Sequence, residues 1–166
     1  MGIMQSVFGG DHLMTTRCVR LRRVKLTFKA EQVREEFPSY LSSTRFTDPA
    51  AIYELFRDLR HETREHFLAL HLDGKNRIIC FDLVSVGSLN QSIVHPREVF
   101  MPAVASAAAA VILVHNHPTG DPTPSREDLS ITKRLREAGE IVGIKVLDHI
   151  IVGDETFTSF VSQGLM

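Results

Sequence analysis

Cysteine is scarce in this sequence, with only Cys18 and Cys80 among 166 residues. Neither belongs to a C-x-x-C pair, and two thiols do not make a disulfide framework. Each lies in an apolar, strand-like stretch, where a reduced core thiol is the expected state. Excess charge of either sign is also missing. The formal net charge is -1 with 23 % charged residues, so no global field draws the chain to nucleic acid or an anionic membrane. No apolar run reaches the roughly 18 residues that a membrane span needs. The longest, around Ala103 to Val114, is Ala-rich and runs into histidines. The first residues lack the charged-then-apolar pattern of a secretory signal. These absences predict a cytoplasmic protein with no membrane partner. Internal repeats are absent, and no linker cuts the chain in two. What is present suits one compact domain: 43 % of residues are hydrophobic, enough for a sizeable core without staples.

Residues 1 to 14 show no period and read as a loose arm. Residues 17 to 34 hold seven Arg or Lys against one Glu, and CVRLRRVKLTF alternates apolar and basic residues as a strand does. This basic segment is either a solvated strand face or an edge for nucleic acid or an acidic partner. FPSYLSSTRFT, residues 37 to 47, reads as a loop. DPAAIYELFRDLRHE then starts a helix, with Asp48 as N-cap and Pro49 in the first turn. Ile52, Leu55, Phe56 and Leu59 recur at helical spacing and are assigned to the core. HFLALHLD and IICFDLVSV read as strands joined by the turn DGKNR. SIVH reads as a short strand. REVFMPAVASAAAA reads as a second helix, which Pro102 is expected to bend or interrupt. AVILVHNH is a strand. A third helix is predicted from Ser125 to about Ala138, followed by the strand IVGIKVLDHIIV and a last short strand over 157–161. The sum predicts an α/β fold with a single mixed β-sheet and helices packed on it. Residues 1–47 are taken as an N-terminal arm and basic strand of the same unit, and residues 48–166 as the main domain.

The stretch VILVHNHPTGDPTPSRED concentrates chemistry. Residues two apart on a strand share a face, so His115 and His117 aim at one point while Asn116 turns away. The strand before them is continuously apolar, hence buried and rigid. Pro118, Pro122 and Pro124 stiffen the loop that follows, and Gly120 permits its turn. Ser125 reads as a helix N-cap, and Asp128 lies on the first turn. That S-x-x-D spacing has an ordinary meaning as a helix start. It is compatible with a second one: two imidazoles and a carboxylate suit a catalytic Zn²⁺, leaving a fourth position for water.

The spacing His115-x-His117, seven residues, Ser125, two residues, Asp128 resembles the signature of JAMM (MPN-plus) metalloproteases. The string HNHPTGDPTPSRED resembles the RadC family within that group. So do REHFLALHLD, SVGSLNQSIVHPREVF, LDHIIVGDETFTSF and the closing GL, so the resemblance covers roughly residues 48 to 165. It implies a JAMM/MPN, cytidine-deaminase-like architecture and one Zn²⁺ held by His115, His117 and Asp128. It implies a hydrolase of peptide or isopeptide bonds in which zinc-bound water is the nucleophile. A glutamate is implied as general acid/base and Ser125 as an aid to the oxyanion. Glu65 has the family glutamate's place, at the start of the strand after the first helix. Spacing alone does not force that choice, and Glu62 and Glu98 are alternatives. Asp148 and His149 also fall within the resemblance and read as a hydrogen-bonded pair at the core edge. His12, His61, His66, His71 and His95 have no spacing that recommends them. Longer RadC proteins carry a helix-hairpin-helix DNA-binding module; here fewer than fifty residues precede the first helix, and they read as a basic strand with loops. That departure counts against DNA binding, while the basic segment and the open choice of glutamate carry an alternative role, a non-catalytic DNA-repair accessory or adaptor that keeps the metal site. A nucleobase deaminase is set aside because its H-x-E and P-C-x-x-C signature is missing.

Overall fold

The structure, a computed structural model, describes residues 48–87 and 94–166. The arm, the basic segment 17–34, the loop 37–47 and Cys18 lie outside the described residues, as do positions 92 and 93 of the expected SIVH strand. Val94 and His95, its other two positions, form a bend and a helix cap rather than a strand.

Helix α1, Pro49–Phe56, starts where Asp48 accepts a hydrogen bond from Ala50 N at 3.0 Å. It then tightens into a 3-10 turn, Arg57–His61, so the helix expected over 48–62 is α-helical only in its first half. Strands β1, Glu65–Leu72, and β2, Ile78–Gly87, form a hairpin. Asp73 holds its turn, accepting from Lys75 N at 2.8 Å and from Arg77 N at 3.0 Å. Helix α2, Pro96–Ala105, runs through Pro102 and continues three residues beyond it. The expected interruption does not occur. The carbonyl that a proline at 102 leaves without its helical donor belongs to Glu98, a half-buried residue.

Strand β3, Ala110–Asn116, is buried along its whole length. Helix α3, Arg126–Val142, passes the expected end at Ala138 because Gly139 is tolerated inside it. Gly143, in the left-handed conformation at φ 79°, then closes it. Residues 141 and 142 are therefore helical, and strand β4 is Lys145–Val152. Strand β5 is Phe157–Ser159, with 160 and 161 already in a turn.

Among the described residues these strands make one five-stranded sheet in the order β2-β1-β3-β4-β5. β3 and β4 are parallel and the other neighbours antiparallel, so the sheet is mixed, as the sequence predicts. Alternation along the strands builds two cores. Leu68, Leu70, Leu72, Ile112, Val114, Ile150 and Val152 pack with Ile52, Leu55 and Phe56 of α1. Phe67, Ala69, Val111 and Leu113 pack on the other face with Val99 and Phe100 of α2 and Ile131 and Leu135 of α3. The result is three layers. No helix among the described residues is long and apolar enough to cross a membrane.

Candidate metal centre

The middle strand β3 ends at the face covered by α3. His115 lies on that face, two residues beyond Leu113, and is fully buried. His117 follows just past the strand and is half-buried, with its side chain 13 % exposed. Asn116 points away, as expected. Its side chain accepts from His66 N at 2.8 Å and donates to Arg64 O at 3.1 Å, tying β3 to the start of β1.

Asp128 reaches the same point from the first turn of α3. Ser125 and Asp128 form a reciprocal capping box. Asp128 Oδ2 accepts from Ser125 N and from Ser125 Oγ, each at 2.7 Å. That fixes the carboxylate's roll and leaves Oδ1 buried with no aligned donor. The box and the metal-type cluster are thus one construction.

Three ligand-type groups converge. His115 Nε2 and His117 Nε2 are 3.0 Å apart, and they lie 3.2 and 3.3 Å from Asp128 Oδ1 and Oδ2. Among the described residues this is the one cluster of three or more groups able to hold a metal ion. Its spacings resemble the edge of a tetrahedron, about 3.3 Å for ligand bonds of about 2.05 Å. The donor set also fits. A ligating imidazole needs its other nitrogen to carry the proton and find an acceptor. His117 Nδ1 is 2.7 Å from Asp121 O, and His115 Nδ1 is 2.8 Å from His149 Nε2. Asp128 Oδ1, close to His115 but not aligned for a hydrogen bond, is the orphaned atom that a cation would satisfy.

Burial and neighbouring charge act on these groups in opposite directions. Burial favours the neutral form of His115 and outweighs the opposing pull of Asp128 and Glu65. His117 is raised, first by its contact with Asp128. Burial opposes ionisation of Asp128, but the nearby His115 and His117 imidazoles and the hydrogen bond from Ser125 more than offset it and hold the carboxyl well below its ordinary value. Phe67 stacks beside His115 with ring centroids 5.9 Å apart, so one wall is apolar and the local dielectric low.

Glu65 opens β1. Phe67 pairs with His115 across the antiparallel ladder, and carrying that register on by two residues sets Glu65 opposite His117, on the same face. Its negative charge acts on both imidazoles. The alternatives lie elsewhere. Glu62 is exposed, 4.0 Å from His66, and Glu98 bonds Arg97 at 2.9 Å and raises the pKa of Asp82 together with burial.

Residues 46–165 match the RadC-like JAB domain family. The chain belongs to that family. Its RadC-like JAB domain is 68 % identical over 130 residues to UPF0758 protein GSU0386 of Geobacter sulfurreducens, covering 76 % of this chain and 56 % of that protein. It is 64 % identical over 126 residues to a UPF0758 protein of Geotalea uraniireducens, covering 75 % and 55 %. It is 56 % identical over 110 residues to one of Geobacillus kaustophilus, covering 66 % and 49 %. The chain spans about half the length of the curated relatives it matches, and their names state no activity.

Sequence reasoning missed part of this RadC-like centre. Asp148 and His149 are hydrogen-bonded only through the backbone, Asp148 Oδ1 accepting from His149 N at 2.7 Å. Their side chains lie on opposite faces of β4. Asp148 turns to the β5 side, accepting from Ser159 Oγ at 2.6 Å and Val161 N at 3.0 Å. His149 turns to the face of the cluster and touches His115 and Thr132. Two signals pointed there: a histidine inside the apolar run VLDHIIV, and Thr132 four residues after Asp128, on the same helical face.

Proposed function

We propose that this RadC-like JAB domain is a zinc-dependent hydrolase of the JAMM type that cleaves a peptide or isopeptide bond. The observation that carries the reading is the meeting of His115 Nε2, His117 Nε2 and the Asp128 carboxylate within 3.3 Å of one another. Both Nδ1 atoms are tied off, and Glu65 sits across the ladder. His115, His117 and Asp128 would hold Zn²⁺, which when bound lowers the pKa of a coordinated water toward 7 and polarises a carbonyl.

The remaining work falls to side chains. Glu65, half-buried at the rim, takes a proton from the attacking water as it adds to the carbonyl carbon. It returns that proton to the amine nitrogen as the C–N bond breaks, giving a carboxylic acid and an amine. The Ser125 hydroxyl has one proton, which it gives to Asp128 Oδ2. Turning it toward a developing oxyanion leaves Oδ2 with the Ser125 amide, so the carboxylate stays anchored while a donor is released. The exposed side of His117 is the entry for substrate.

The test combines elemental analysis with cleavage of ubiquitin-like, linear and peptidoglycan-derived peptides. His115→Ala and Asp128→Ala are expected to lose most bound zinc. Glu65→Gln is expected to keep zinc and lose turnover by at least a hundredfold, the scale of general acid–base catalysis. Zinc retained in His115→Ala overturns the ligand set. A zinc-loaded parent that cleaves no peptide leaves an accessory or adaptor role, which salt-dependent DNA binding through the basic segment 17–34 would then support.

A further inference from the structure

We infer that His149 and Thr132 are positioning residues of the metal centre, a buried relay that fixes which nitrogen of His115 faces the ion. This rests on the proposed metal reading. Both imidazoles are completely buried, and Thr132 is 2 % exposed. His115 Nδ1 lies 2.8 Å from His149 Nε2. His149 Nδ1 lies 2.6 Å from Thr132 Oγ1, which lies 2.6 Å from the Asp128 backbone oxygen. The path leaves one ligand side chain and returns to the backbone of another.

Proton counting gives the path a direction. A carbonyl only accepts, so Thr132 donates to Asp128 O. Thr132 Oγ1 then accepts from His149 Nδ1–H, and the neutral His149 is left with its lone pair on Nε2. That lone pair accepts from His115 Nδ1–H, and the His115 lone pair is thereby on Nε2, the atom facing His117 and Asp128. Every buried donor on the path has an acceptor in this arrangement. The opposite polarity places a proton on His115 Nε2, where an ion would sit, and leaves Thr132 Oγ1 and the Asp128 carbonyl oxygen 2.6 Å apart with no proton between them. His149 makes no other side-chain hydrogen bond among the described residues. Its ring also lies beside those of Phe67 and Phe160, with centroids 5.5 and 4.7 Å away. An aromatic hydrocarbon would fill that space without the cost of burying two ring nitrogens.

The experiment uses Thr132→Val, Thr132→Ser and His149→Phe, with zinc affinity from chelator competition and the histidine tautomers from long-range ¹H–¹⁵N correlation spectra at pH 7. In the zinc-loaded parent, His115 is expected to carry its proton on Nδ1. Thr132→Val and His149→Phe are expected to weaken zinc binding about 10- to 100-fold and to mix the His115 tautomers in the metal-free protein. Thr132→Ser, which keeps the hydroxyl, is expected to bind within about threefold of the parent by the same measure. If His149→Phe does not fold, the two Thr132 variants decide alone. Zinc binding and a His115 spectrum in Thr132→Val that match the parent overturn the relay while leaving the metal centre standing. A parent that binds no zinc removes both.

Discussion

His115 and His71 are both completely buried histidines on the same face of the sheet, and their surroundings give them different fates. His115 faces two other potential ligands. His71 faces Ser106 Oγ at 2.9 Å and Cys80 Sγ at 3.4 Å through Nδ1, and its Nε2 has no partner. Burial alone lowers His71 from its ordinary 6.5 to about 4. Its folded pKa lies below its unfolded one, so the unfolded chain binds the extra proton first. The neutral ring therefore supports the fold fully above about pH 6.5 and loses that support as pH falls toward about 4. In urea titrations of chelator-treated protein, the parent should lose stability relative to His71→Leu across that interval. A difference between the two that stays constant with pH would refute the assignment. Cys80, half-buried and free, has its thiol pushed up by burial, consistent with the reduced state expected from its setting.

Helix α3 serves two ends. Its N-terminus supplies the capping box that aims Asp128. Near its C-terminus, Gly139 accepts from Gly143 N at 2.8 Å and Ile144 N at 3.0 Å. Replacing a helix-interior glycine by alanine ordinarily gains about 1 kcal/mol in propensity. Here a Cβ at 139 would stand 2.5 Å from the Ile144 backbone oxygen and 3.2 Å from the Phe100 ring. The backbone contact cannot swing aside, and overpacking typically costs about 1–3 kcal/mol, so the clash wins. Gly139→Ala is expected to lower the melting temperature, and a raised one would show that the turn into β4 relaxes freely. The same element shows the limit of sequence reading. The sequence predicts an end to this helix near Ala138, one residue before Gly139, yet the glycine that ends it is Gly143, and propensity alone does not separate the two.

Among the described residues the sheet separates two cores, and the metal-type cluster belongs to one of them. Leu70 lies on the α1 side and is 1 % exposed. Leu70→Ala should cost about 2–5 kcal/mol of unfolding free energy, the range for a buried leucine truncation. Zinc content should hold, because β3 stands between that cavity and Asp128. Loss of zinc in a folded Leu70→Ala protein would mean that the two faces are coupled.

The sequence by itself determined most of the elements and singled out the candidate ligands. Alternation in HFLALHLD and the apolar run into His115 set the strands, Asp48 and Ser125 set the helix starts, and the spacing from His115 to Asp128 marked the residues that converge. Those are local facts, carried by strand and helix periodicity and by capping. Tertiary structure alone decided which groups from distant segments meet. Glu65 rather than Glu62 or Glu98 faces the cluster because β1 pairs antiparallel with β3 in one register. His149 reaches His115 from thirty-four residues away because β4 lies parallel beside β3. Strand register and neighbour choice depend on packing between remote parts of the chain, and no local pattern in the sequence encodes them.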